Sequence, residues 1–257
     1  MLSRNFVKEK LDAGKMVIGT WSVIPSPLVA DIISSSGLDF IIIDAEHGAI
    51  SFETAQEMAI ACVSKGVSPI MRVGDINESD ILKALDIGMH GMQIPNIGNV
   101  EDVRKVVKYT KYPPIGSRGF SPFTRAGNYS LDSATKLTEI ANRNTLVGVN
   151  IEGIDAINNI DEILTVKELD VVFIGLFDLS KALGIPGQVD DPRVLSYLKK
   201  LTKKISKAGK YPGTIATSVE KLKEFEAIGI KYMLYLVDCE MLRASYANVI
   251  NEVRGID

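Results

Sequence analysis

A chain of 257 residues with 46% apolar and 24% charged residues has material for one large core and lacks the composition of disordered or low-complexity segments. Its formal net charge of -3, with lysines and arginines scattered along the chain, leaves no electrostatic footprint for nucleic acid or an anionic membrane surface. The amino-terminal MLSRNFVKEKLDAGK is charged and amphipathic, and no later run approaches the ~20 apolar residues of a membrane span, so a cytoplasmic location without membrane partners is expected.

Short apolar runs alternate with helical periods from end to end, with no linker composition that would divide the chain. The first run is MVIGTWS (16–22), followed by a helix capped by Ser26, begun at Pro27 and left through Gly37. The second, DFIIID (39–44), leads straight into Ala45, Glu46, His47 and Gly48. The third, SPIMRV (68–73), carries Arg72 and precedes NESDILKALDIG, opened by Asn77 and closed at Gly88. The fourth, HGMQIP (90–95), precedes NVEDVRKVVKYTKY, opened by Asn99 and stopped by YPP at 112–114. The connection that follows, roughly 110–145, is irregular and too long to be a mere link, so it is expected to be functional or to pack on a neighbouring subunit. Then come LVGVNIE (146–152), DVVFIG (170–175), YPGTIAT (211–217) and KYMLYLVD (231–238).

Runs that are apolar on both faces suit parallel strands buried beneath helices. Eight of them, each followed by a helix, predict a single-domain (β/α)8 TIM barrel spanning 1–257, with an open doubly wound sheet as the alternative. Barrel active sites form at the carboxyl ends of the strands, and there the chain places Asp44, Glu46, His47, Arg72, Glu152, Asp178 and Asp238. Glu152 and Asp178 suit a hard divalent cation that keeps positions open for water and a chelating substrate, or else a helix cap and a solvated carboxylate. His47 is either structural or a proton-transfer group. Arg72 cannot be buried alone, so it either bridges to an acid such as Asp44, stabilises charge developing on a bound oxygen, or does both. His90, at the amino end of its strand, reads as structural, and Cys62 and Cys239 as reduced, mostly buried thiols. No strand end carries a lysine for a Schiff base, and the last two lack the glycine-rich cradle of phosphate-binding barrels.

The segments IIIDAEHG, PIMRV, LDIGMHGMQIP, YPPIGSRG, NIEG, IGLFDLS and LGIPGQ, in this order, resemble the HpcH/HpaI family of class II pyruvate aldolases, the 2,4-dihydroxyhept-2-ene-1,7-dioate aldolase type. The similarity runs from Gly19 to about Asp238. It implies reversible cleavage of a 4-hydroxy-2-oxo acid into pyruvate and an aldehyde with a divalent metal, Mg²⁺ or Mn²⁺ and alternatively Co²⁺ or Zn²⁺. By resemblance Glu152 and Asp178 are the metal ligands, Arg72 holds the pyruvate oxygen, and His47 is the base, assisted by Asp86. Asp44 lines the metal-water network, and backbone amides from Gly175 through Leu176 and Phe177 to Asp178 bind the pyruvate carboxylate. The resemblance further implies a hexamer, a trimer of dimers, with the last helix exchanged between subunits. Arg125 is the candidate to reach a neighbour's site, and Arg118 is assigned to the loop's own structure. Leu176 and Phe177 stand where the family usually has proline and a small residue, and Asn150 where it commonly has glutamine, changes that touch donor choice. Related alternatives are a decarboxylase or lyase acting on oxaloacetate or a similar 2-oxo diacid, and, from a different class, a non-catalytic oligomeric binding protein.

Overall fold

A computed structural model describes residues 4–131 and 133–255. In chain order the elements are α1 (Phe6–Asp12), β1 (Val17–Ser22), α2 (Pro27–Ser34), β2 (Phe40–Asp44), α3 (Phe52–Ser64), β3 (Ser68–Arg72), α4 (Glu78–Asp86), β4 (Gly91–Ile94), α5 (Val100–Thr110) and α6 (Ala134–Asn144). They continue with β5 (Leu146–Ile151), α7 (Ile154–Asn158), α8 (Ile160–Ile163), β6 (Val171–Ile174), α9 (Leu176–Ala182), α10 (Pro192–Lys207), β7 (Tyr211–Ala216), α11 (Val219–Ala227), β8 (Tyr232–Val237) and α12 (Asp238–Arg254). All eight strands pair in parallel and in sequence order, and β8 closes on β1, so the barrel is complete and the open-sheet alternative is excluded.

Every strand expected from an apolar run is present, and the capping residues act as read: Ser26, Asn77 and Asn99 each accept a hydrogen bond from the first turn of their helices. Asn99 and Asp102 form a reciprocal capping box. One difference lies in the stretch 110–145, where the sequence suggested only irregular chain. It contains α6, capped by Ser133, whose sole buried residue is Ala141, so its apolar face is too thin to stand out in the sequence.

The strands bury both faces. Alternate residues pack outward against the helices, as Ile41 and Ile43 do, or inward, as Phe40 and Ile42 do. Phe40 stacks on Tyr232 at 4.3 Å and Trp21 meets Phe173 edge-on at 5.8 Å, filling the barrel interior. Burial worth roughly 1.5–3 kcal/mol per large side chain makes strand ends such as Asp44 and Arg72 rigid platforms. α1 plugs the amino-terminal mouth with Val7 and Leu11, and the Asn5 amide donates to the His90 and Asn144 carbonyls at 2.8 Å each.

His90 sits in that plug. It is 1% exposed, its Nδ1 lies 3.1 Å from Ser68 Oγ, and burial pushes its pKa down to about 3. An imidazole neutral in the folded state and protonated in the unfolded one makes stability fall as pH drops from about 6.5 toward 3. Urea unfolding at pH 7 and pH 5 should therefore show wild type losing about 2 kcal/mol more than His90→Asn; equal losses would mean that the ring titrates freely.

Candidate active site

β2 ends inside the barrel at Asp44, 1% exposed, and the chain turns at once. The Asp44 carboxylate shapes the turn by accepting from the backbone amides of Glu46 and His47, at 3.1 and 3.4 Å. Gly48 is required where the turn folds back, since a Cβ there would stand 2.4 Å from the Asp44 carbonyl. The result aims an exposed His47 into the mouth while its backbone is anchored to a buried acid.

Arg72, on the adjacent strand and in register with Asp44, donates from Nε and Nη2 to the two Asp44 oxygens at 2.8 and 2.6 Å. Its Nη1 pairs with Glu46 at 2.9 Å, and its guanidinium lies over the Trp21 ring at 4.0 Å. A bidentate pair, a second acid and an aromatic face hold one cation in one pose. Both sequence-level options for Arg72 stay compatible. The bridge exists, and two of its five N–H donors remain beyond these three contacts. Glu46, unassigned from sequence, is one of these supports, and Asn96, in the left-handed region at φ 58°, reaches its other oxygen at 3.4 Å.

Glu152 and Asp178 line the same cavity, about 450 Å³ in volume. Glu152 follows β5, and desolvation, then the negative charges of Asp178 and Glu46, raise its pKa against the opposing hydrogen bond from Asn150. That bond, from Asn150 Nδ2 to Glu152 Oε1 at 2.6 Å, is the end of a buried relay: Gln93 Nε2 donates to Asn150 Oδ1 at 2.9 Å. Gln93 is fully buried, and its Oε1 has no hydrogen-bond partner among the described residues. The shorter Asn150 thus still orients the Glu152 carboxylate, with Gln93 fixing which way its amide faces. Gly175 lets the chain pass this carboxylate, since a Cβ would lie 3.0 Å from Glu152 Cγ.

Among the described residues no group of three histidines, cysteines or acids converges as a closed metal cage. The donor set is instead open: two carboxylates with mutual repulsion that a divalent cation would relieve, and room for substrate and water oxygens. The residues fit a hard divalent cation.

Two expectations need correction, those for the Gly175 amide and for Cys239, and Asp86 is placed away from its own chain's cavity. The Gly175 N–H is occupied by the Ile151 carbonyl at 3.1 Å, so it is not available for a substrate carboxylate. The amides of Leu176, Phe177 and Asp178 open α9 with no side-chain cap and, as first-turn groups, have no intrahelical acceptor. Asp86 does not meet His47 within one chain: it ends α4 and is held by Arg118 at 2.8 Å. Helices of a (β/α)8 barrel run back against the strands, so a helix exit lies toward the stability face. Cys239 is exposed at the cavity mouth rather than buried, whereas Cys62 is buried with its thiol pushed up to about 11.

Other sequence-level candidates take structural places. Asp238 accepts from Ser22 Oγ at 2.7 Å and from the Val23 and Ile24 amides, tying the loop after β1. Arg118 is buried against the Tyr112 ring at 4.5 Å. Arg125 packs over Gly88 and does not line its own chain's cavity. Gln93 and Trp21 escaped notice in the sequence; a glutamine in the apolar run HGMQIP was the one available signal.

A closed parallel barrel that gathers two open carboxylates, a fixed arginine and an exposed imidazole at the carboxyl ends of its strands has the active-site placement of the (β/α)8 barrel enzymes. The chain is a member of the HpcH/HpaI aldolase/citrate lyase family, whose model matches residues 17–242. It is 30% identical to a pyruvate aldolase of Rhizobium etli, over 95% of this chain and 98% of the relative. It is 32% identical to the 2-keto-3-deoxy-L-rhamnonate aldolase of Escherichia coli K12, over 91% and 90%. Among solved structures, an HpcH/HpaI aldolase from Desulfitobacterium hafniense superposes with a TM-score of 0.92 at 29% identity, covering 97% of this chain and 96% of that one. The citrate synthase SbnG superposes at 0.88 and 30% identity, covering 99% and 100%.

Proposed function

We propose that the protein is a divalent-metal-dependent aldolase that reversibly cleaves a 4-hydroxy-2-oxo acid into pyruvate and an aldehyde. The observation that carries this is the single cavity lined by Glu152, Asp178, Arg72 and His47. Glu152 and Asp178 would hold the cation, Mg²⁺ or Mn²⁺ by the hardness of the donors. When bound, it supplies a Lewis acid that polarises the 2-oxo group. The uncapped amides of Leu176, Phe177 and Asp178 face the substrate carboxylate. Arg72 directs its two remaining N–H donors at the 2-oxo oxygen, where charge develops. Asp44 and Glu46 keep it from turning away, and Asp44, which also lines the cavity, borders the water network there.

In cleavage, His47 takes the proton of the C4 hydroxyl. The C4 oxygen forms the aldehyde carbonyl, the C3–C4 electron pair passes toward the 2-oxo oxygen, and C3 then takes a proton to give the pyruvate methyl group. Several relatives carry the same activity class in their names, including the 4-hydroxy-2-oxo-heptane-1,7-dioate aldolase of Shigella flexneri at 30% identity.

The assembly we propose is a cytoplasmic homo-oligomer joined through α12. Leu242, Tyr246, Val249 and Val253 leave an exposed apolar face on this helix, and an apolar groove lies between it and α2. Asp86 and Arg125, which do not reach the site of their own chain, are proposed to act across that assembly. Among the described residues no helix is long and apolar enough to cross a membrane.

The test is a coupled assay for pyruvate with a 4-hydroxy-2-oxo acid after chelator treatment. Turnover should vanish and return with Mg²⁺ or Mn²⁺. Carbon dioxide release from oxaloacetate with no aldehyde from any 4-hydroxy-2-oxo acid would make it a decarboxylase instead.

A further inference from the structure

The carboxyl end of β4 carries no acid, histidine or arginine, yet it reaches two carboxylates of the site. Asn96 follows Pro95 there with φ 58°, in the left-handed region that costs most side chains free energy and that asparagine tolerates better than others. The loop around it is fixed: Ile97 is 3% exposed, the Gly98 carbonyl accepts from Asn159 Nδ2 at 2.9 Å, and the Gly98 amide donates to Asp102 at 3.0 Å. From this turn the Asn96 side-chain amide donates to Glu46 Oε1 at 3.4 Å, while Glu46 Oε2 pairs with Arg72 Nη1 at 2.9 Å. Burial raises the pKa of Glu152, the charges of Asp178 and Glu46 add to it, and a hydrogen bond from the Asn96 backbone N–H opposes them. One neutral residue thus offers a donor to each of two carboxylates that repel one another, the partner of Arg72 and a proposed cation ligand. Glycine would give the turn and the backbone donor but no side-chain amide. Aspartate would suit the turn but set a further negative charge against Glu46.

We propose that Asn96 is a positioning residue whose side chain holds Glu46 on Arg72 and so keeps the guanidinium aimed at the 2-oxo oxygen; the inference rests on the pyruvate aldolase reading. Without that amide, Glu46 is free to turn toward water, and Arg72 Nη1 loses a support that fixes the direction of its remaining donors. The side chain acts on Arg72 through Glu46, whereas the backbone N–H acts on Glu152. Removing the side chain alone therefore slows proton loss from pyruvate and spares cation binding.

The experiment measures pyruvate methyl-proton exchange at saturating Mg²⁺, and Mn²⁺ binding by calorimetry, on the full-length protein. Asn96→Gly is expected to slow exchange at least about 5-fold, the scale of one hydrogen bond to a charged group, with Mn²⁺ affinity within about 2-fold of wild type. Asn96→Asp is expected to slow exchange further while keeping the turn. With Glu46→Ala already in place, Asn96→Gly should add less than about 2-fold, because the group through which it acts is gone. A smaller loss on Asn96→Gly, a matching loss of Mn²⁺ affinity, or an undiminished loss in the Glu46→Ala background overturns this inference alone when the wild type exchanges. Absence of exchange in the wild type overturns the pyruvate reading and this inference with it.

Discussion

Arg72→Ala should slow metal-dependent proton loss from pyruvate about 10²- to 10³-fold, the range seen when one oxyanion donor is removed. Metal affinity should fall far less, because Arg72 stands with Asp44 and Glu46 rather than with the two proposed ligands. The variant also leaves Asp44, 1% exposed, without its bidentate partner, which costs about 3–5 kcal/mol of stability for a buried pair broken from one side. Arg72→Lys separates the two effects. It keeps a charge near Asp44 but loses the planar fork and much of the stacking on Trp21, so it should fold better than the alanine variant while remaining slow. Deuterium exchange rates and Mn²⁺ titration on the lysine variant check this. Equal losses in metal affinity and exchange would reduce Arg72 to a salt-bridge partner.

The second large effect belongs to the carboxylates. Glu152→Gln and Asp178→Asn should each weaken divalent-cation binding by more than the roughly 10- to 100-fold that follows loss of a supporting partner. The two variants differ in their pH response. A proton competes with the cation for Glu152, and burial with the charge of Asp178 raises its pKa above the ordinary 4.5, so wild-type affinity should decline on acidification before that of an unperturbed glutamate would. Asp178→Asn removes one of those charges and should move the onset of the decline to lower pH. Calorimetric Mn²⁺ titrations between pH 7 and pH 5 test both points; unchanged affinity in either variant would place the cation elsewhere.

Much of this site was legible in the sequence because barrel strands are continuous. FIIID and SPIMR announce buried strands, and the polar residues that end them must emerge at one mouth. Contacts set by strand neighbours and by helix direction were not legible. Gln93 and Asn150 are 57 residues apart and meet only because β4 and β5 lie side by side. The pairing of Asp86 with Arg118, 32 residues on, likewise depends on where α4 ends and was not legible. The Gly175 amide was misjudged because the β6 ladder runs one residue past the strand, to Ile151. Exposure of Cys239 depends on where α12 leaves β8, a turn with left-handed Leu236 at φ 51° and a shift of register against β1.

The most direct measurement follows the methyl protons of pyruvate in deuterated water by NMR, with chelator-treated protein and then with Mg²⁺ or Mn²⁺ restored. Exchange should require the metal and should be lost in Glu152→Gln. Exchange that proceeds equally in metal-free protein, or none in the presence of metal, would contradict the assignment of Glu152, Asp178, Arg72 and His47 to one enolising centre.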